Sequence, residues 1–160
     1  MYNHLAFDPN LEQSEVVFMQ VKDVMSPRPV SIQPEESAAL AARLLSRHNV
    51  GFLPVCSERG KLLGVVTDRD LVVRCVAAEA DPAATPVKRL MSRHPLAAAP
   101  TDDLRLAAEK MARVQVRRLP VTENGILVGM ISLGDLAKSG ACEMEVSRAL
   151  AGISSEVREP

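Results

Sequence analysis

GVVTDRD, residues 64–70, runs from a glycine through two valines into a threonine, with an aspartate three positions later. GMISLGD, residues 129–135, repeats the arrangement: glycine, two apolar residues, a hydroxyl and an aspartate. An apolar run that ends in a hydroxyl and a spaced carboxylate reads as a strand delivering both groups to the start of a helix.

Outward from these two stretches, the whole chain proves to be written twice. VKDVMSPRPVSIQPEES at 21–37 aligns with VKRLMSRHPLAAAPTDD at 87–103, an offset of 66 residues. LAARLLSRHNVGFLPV at 40–55 meets LAAEKMARVQVRRLPV at 106–121 at the same offset. From Val21 to Glu58 the copies share 14 of 38 residues. After a one-residue deletion in the turn, LLGVVTDRDL at 62–71 meets LVGMISLGDL at 127–136.

Each copy reads as strand, helix, strand, strand, helix. Val-Ser-Ile after Pro29 and Leu-Ala-Ala after Pro95 are short extended pieces. A helix follows each, with Ser37 or Asp102 and Asp103 as candidate N-caps. Leu104, Ala107, Ala108, Met111 and Val114 then form a helical apolar stripe, and Leu40, Leu44, Leu45 and His48 a less regular one. VGFLPV and VRRLPV are strands whose proline suits an edge or an end. Glycine turns at Gly60 and Gly125 lead back into LLGVVT and LVGMIS, each closing a hairpin. The expected architecture is α/β (α+β), two tandem βαββα repeats packed with pseudo-twofold symmetry. A repeat of about 55 residues buries too little alone, so the two are expected to pack face to face and leave two related clefts. The divisions are an N-terminal extension (1–18), a first repeat (19–78), a linker (79–86), a second repeat (87–140), and a C-terminal helix and tail (141–160). Met144, Ala149 or Leu150, and Ile153 give that helix its apolar side.

Composition narrows the function. The net charge of −1 hides a mildly basic body, +4 over residues 21–140, between acidic ends, which is compatible with a small anionic ligand. Of four aromatic residues, Tyr2, Phe7 and Phe18 precede the repeats and only Phe52 lies within them. Single-stranded nucleic-acid binders use aromatic platforms, so no nucleic-acid partner is expected, and a bound base would have to sit between aliphatic side chains. Cys56, Cys75 and Cys142 form no CxxC pair and His4, His48 and His94 are scattered, which gives neither a metal signature nor a disulfide framework. The odd, apolar-flanked cysteines point to a reducing cytoplasm. No apolar run approaches the ~20 residues of a membrane span, and the N-terminus lacks the pattern of a secretory signal.

Catalytic motifs are missing as well: there is no GxSxG, HExxH, P-loop or GxGxxG. His48 reads as a rim residue of its helix, His94 as a loop residue and Cys56 as a small buried one, so no enzyme activity is expected. What remains is binding. Thr67 and Asp70 could hold ribose hydroxyls, a common task for a carboxylate near a helix start; the same tetrapeptide also serves simply as a capping box. Where the first copy has Gly51 and Phe52, the second has Arg117 and Arg118, a pair suited to phosphate. Asp70 and Arg118 are therefore expected to bracket one nucleotide across the copies. Phe52 is expected to impair the sister cleft of Ser132 and Asp135.

These motifs, VKDVMSPRPVSI, NVGFLPV and GVVTDRD against VKRLMSRHPLAA, QVRRLPV and GMISLGD, resemble the tandem CBS (cystathionine β-synthase-type) domain pair, or Bateman module, over about residues 19–140. The phrases HNVGFLPV, TDRDLVVR and QVRRLPV resemble in particular bacterial stand-alone two-CBS proteins of the hypoxic-response type. The resemblance implies a regulatory module binding AMP, ADP, ATP or S-adenosylmethionine in its clefts and pairing into a homodimer. Its output would pass to a separate regulated protein or to the module's own assembly, unless it is a ligand-free scaffold acting through protein–protein interaction. It also implies ribose contacts at Thr67 and Asp70 and at Ser132 and Asp135, and a phosphate contact at Arg118 with Arg117 beside it. The implied base pockets are Val65 with Leu96, Ala97 and Ala98 in one cleft, and Met130 with Val30, Ser31 and Ile32 in the other. The homodimer is expected to form through the apolar helix stripes.

Overall fold

In the computed structural model, which describes residues 18–154, two hairpins organise the chain. Strands β2 (Phe52–Cys56) and β3 (Leu62–Thr67) form the first, and β5 (Arg118–Glu123) and β6 (Ile126–Ser132) the second. Their turns use glycine at positive φ, +78° at Gly60 and +80° at Gly125, which L residues rarely adopt. The two turns also meet: Leu62 N donates to the Gly125 carbonyl and Leu127 N to the Gly60 carbonyl, both at 3.0 Å.

The third strand of each sheet comes from the other repeat. β1 (Ser26–Pro27) pairs with β6, and β4 (Ser92–Arg93) pairs with β3, so the sheets run β1-β6-β5 and β2-β3-β4. The flanking turns follow their strands. Val21, in the one-turn helix α1 (Val21–Val24), packs into the core of the second repeat, while Val87, Leu90 and Met91 pack into that of the first. Glycine makes this exchange possible. A Cβ on Gly64 would lie 2.7 Å from the Ser92 carbonyl oxygen, and one on Gly129 3.1 Å from that of Ser26.

The extended pieces expected at 30–32 and 96–98 reduce to single parallel bridges, Ile32 to Val55 and Ala98 to Val121. Both residues are buried in the two cores. The long helices start where their caps allow. Ser37 Oγ accepts from Leu40 N (3.2 Å) at the start of α2 (Ala38–His48), and Asp103 accepts from Arg105 N (2.8 Å) at the start of α4 (Leu104–Val114). Each ends at a left-handed residue, Asn49 or Gln115.

The second helix of the first repeat is α3 (Asp68–Leu71), continued by a π turn over Val72–Val76; that of the second is α5 (Leu133–Ser139). A last helix, α6 (Glu143–Ser154), buries Val146 and Ala149 and packs on α4 and α5. Met144, expected on its apolar side, is exposed. Of the α4 stripe expected to await a partner, Leu104, Ala107, Ala108 and Met111 are buried within the chain, while Val114 is exposed. Among the described residues no helix is long and apolar enough to cross a membrane.

Candidate nucleotide cleft

Both hydroxyl–carboxylate pairs form capping boxes. Thr67 Oγ1 accepts from Asp70 N (3.1 Å), while Asp70 Oδ2 accepts from Thr67 N (2.9 Å) and from the Thr67 hydroxyl (2.8 Å). Ser132 and Asp135 repeat the pattern: Ser132 Oγ accepts from Asp135 N (3.2 Å), and Asp135 Oδ2 accepts from Ser132 N (2.8 Å) and its hydroxyl (2.7 Å). The cap accounts for one oxygen of each carboxylate and leaves the other. Among the described residues Asp135 Oδ1 has no hydrogen bond or ion pair, whereas Asp70 Oδ1 stands 3.5 Å from Arg74 Nε.

A cavity of about 270 Å³ opens beside Asp135, near the lower end of the range for small-molecule sites. Its walls come from both repeats. Pro29, Val30, Val50, Phe52 and Pro54 of the first meet Met130 and Ile131 of the second, with Ser26, Ser132, Asp135 and Arg118 as its polar members. Arg118 has no ion pair or hydrogen bond to any described residue, so its cation is free for a ligand.

This differs from the sequence-based pairing in one respect. Arg118 was expected opposite Asp70; it lines the cavity of Ser132 and Asp135, because β5 and β6 are one hairpin and Arg118 is the register partner of Ser132. Phe52 is likewise the partner of Thr67, yet it also reaches this cavity as an apolar wall. Of the other residues expected in the clefts, Val30 and Met130 line the cavity. Ser31 is exposed, and Ile32 and Ala98 lie in the cores. Thr67, Asp70, Val65, Leu96 and Ala97 are half-buried and lie outside this cavity, Val65 being paired with Ser92 of β4. Arg117 is exposed, and its carbonyl accepts from Leu133 N at 3.0 Å. Ser26, Val50 and Arg74 were missed. Ser26 comes to the cavity only through the strand exchange, which leaves no periodicity to read.

The remaining candidates for chemistry are elsewhere. His48 and His94 are exposed, at the end of α2 and just after β4. Cys56 is buried, and burial pushes its thiol up, partly offset by a hydrogen bond with Ser31. Among the described residues no group of three or more His, Cys, Asp or Glu side chains could hold a metal ion.

The sequence pattern of the CBS domain matches residues 21–76 and again 87–141. The chain belongs to the CBS-domain family. It is 38% identical over 136 residues to the CBS domain-containing protein YhcV of Bacillus subtilis, covering 85% of this chain and 96% of that protein. It is 29% identical to Hypoxic response protein 1 of Mycobacterium tuberculosis over 73% of this chain and 82% of that one. Among solved structures it resembles CBSX2 in complex with AMP, with a TM-score of 0.67 and 29% identity over 76% of this chain and 95% of that one. The mixed helix and strand architecture, with two three-stranded sheets, is that of CBS-pair proteins.

Proposed function

We propose that this CBS pair is a regulatory module that binds an adenosine-type nucleotide between its repeats and has no catalysis of its own. One observation carries the reading: an apolar cavity built by both repeats brings Asp135, whose Oδ1 has no partner among the described residues, and the guanidinium of Arg118, likewise unpaired among them, to the same space. Asp135 receives ribose hydroxyls, Arg118 pairs with phosphate, and Val30 and Met130 hold the base, with Phe52 as a further apolar wall. The bound AMP of CBSX2 supports the ligand class. Thr67 and Asp70, with Val65 and Leu96, form the related but weaker cleft. Arg117 acts at its rim. The module works in the cytoplasm as a homodimer and passes its state to a separate protein.

A thermal-shift panel of AMP, ADP, ATP, S-adenosylmethionine and NAD tests the reading. A ligand at about 100 times its Kd adds about 2.7 kcal/mol of stability, a clear rise in melting temperature. If none of the five raises it, the nucleotide reading fails and a ligand-free interaction scaffold takes its place.

A further inference from the structure

The two capping boxes hold the same carboxylate in different company. Four residues after Asp135 comes Ser139, whose hydroxyl donates back to the Leu136 carbonyl (2.7 Å). Four residues after Asp70 comes Arg74, on the π turn, with Nε 3.5 Å from Asp70 Oδ1. The same guanidinium donates from Nη1 to the Leu90 carbonyl at 2.7 Å. Leu90 lies in the segment that leads into β4. Arg74 is thus held at two points, over the one carboxylate oxygen that the capping box does not use.

That oxygen is the one a ribose needs. Oδ2 of each aspartate already accepts two hydrogen bonds from the capping residue, which fills its two lone pairs. A diol can be received only at Oδ1. In the Asp135 cleft this position is open; in the Asp70 cleft an internal cation sits on it.

We infer that Arg74 is the specificity-determining residue that makes the two clefts unequal: it occupies the Asp70 carboxylate, and a nucleoside enters that cleft only by displacing it. The inference rests on the reading of the clefts as nucleoside sites. Displacement is feasible because the pair is loose and wet, with the Arg74 side chain 46% and the Asp70 side chain 16% exposed; pairs of this kind contribute little. A nucleoside that takes Oδ1 also frees one anchor of the residue that holds the Leu90 carbonyl. Occupancy of the weaker cleft is thereby coupled to the segment that leads into β4.

Adenosine is the probe, since it has no phosphate to attract a cation, and calorimetry on the full chain is the measurement. Asp135→Ala removes the open cleft; Asp135→Asn, which keeps an acceptor for the cap, replaces it should the alanine variant fail to fold. In that background Arg74→Gln is expected to strengthen adenosine binding about twofold to fivefold. Arg74→Lys, which keeps a cation, is expected to change it less than Arg74→Gln does, and adding Asp70→Ala to abolish the gain. A purely structural Arg74 would lower the melting temperature without separating glutamine from lysine in affinity. Unchanged or weaker binding by Arg74→Gln overturns the inference and leaves the nucleotide reading standing. If the native chain takes up no adenosine compound, that reading fails, and Arg74→Gln alone decides: uptake of adenosine sustains the inference, none overturns it.

Discussion

Arg118 stands opposite Ser132 in the β5–β6 ladder, and both line one cavity with the Asp135 that Ser132 caps. A cation at the start of one strand and a carboxylate just past the end of its neighbour are brought together by hairpin register alone. Phe52 holds the corresponding place opposite Thr67, so the first hairpin has no cation there. The same register that gives the second hairpin its arginine denies one to the first.

Binding should follow this register. Hydrogen bonds to charged groups contribute about 1.5–3 kcal/mol, so Asp135→Ala and Arg118→Ala are each expected to weaken AMP binding about tenfold to a hundredfold. Asp70→Ala should weaken it far less. With adenosine the Arg118 effect should shrink while the Asp135 effect persists. Calorimetry on the three variants checks this, and a silent Asp135→Ala beside a disabling Asp70→Ala would reassign the site.

The exchanged strands make two glycines sensitive. Gly64→Ala places a Cβ 2.7 Å from the Ser92 carbonyl, a contact with backbone that cannot swing away. Overpacking of this kind costs typically about 1–3 kcal/mol. Gly129→Ala, at 3.1 Å from the Ser26 carbonyl, should cost less. Urea unfolding of both variants gives the order; equal stability to the native chain would mean that β1 and β4 shift freely.

Ser37 caps α2 away from the cavity residues, which makes it a control for stability without binding. Ser37→Ala is expected to cost about 1 kcal/mol, a fall in Tm of about 2–4 °C for a chain of this size. Ser37→Asp should restore most of it. Circular dichroism melts supply the values, and AMP affinity should stay unchanged in both.

Cys56 should be slow to alkylate. Its thiol is buried and its pKa is raised by that burial, so at neutral pH the native state holds less thiolate than the unfolded chain. The rate of iodoacetamide labelling should rise with pH later in the native protein than in urea. Rapid native labelling at Cys56, located by mass spectrometry, would contradict this.

Assembly is expected to use the π turn. Val72, Val73 and Val76 are 58%, 53% and 61% exposed, an apolar group uncommon on a surface that stays in water. Light scattering should give a dimer at micromolar concentration, and Val73→Glu a monomer. A native monomer with and without AMP would remove this surface from consideration.

Much of the fold could be read directly. The duplication placed both hairpins, Gly60 and Gly125 marked their turns, and Ser37 and Asp103 marked the helix starts. Short contacts were harder. Ser26–Pro27 and Ser92–Arg93 are two-residue strands, too short to carry an alternation of apolar and polar residues. At the site, the hydroxyl–carboxylate pairs were legible as both cap and ligand groups, and the structure uses them as caps with one oxygen to spare. The partner of Arg118 was misread because comparison by offset says which residues correspond. It does not say which ones face each other.

The reciprocal donation of β1 and β4 has a meaning for the origin of the chain. Neither half owns a complete sheet: each lends its leading strand and its leading valine to the other. That is the topology of a strand-swapped pair of identical subunits, here fused end to end. The linker at 79–86 docks on the start of α2, where the Thr85 and Pro82 carbonyls accept from Ala38 N (2.8 Å) and Ala39 N (3.0 Å). It keeps two mutually dependent halves at a high effective concentration, and fusion let them diverge, so that Phe52 and Arg118, or Ser139 and Arg74, could differ where two separate copies would have been bound to be alike.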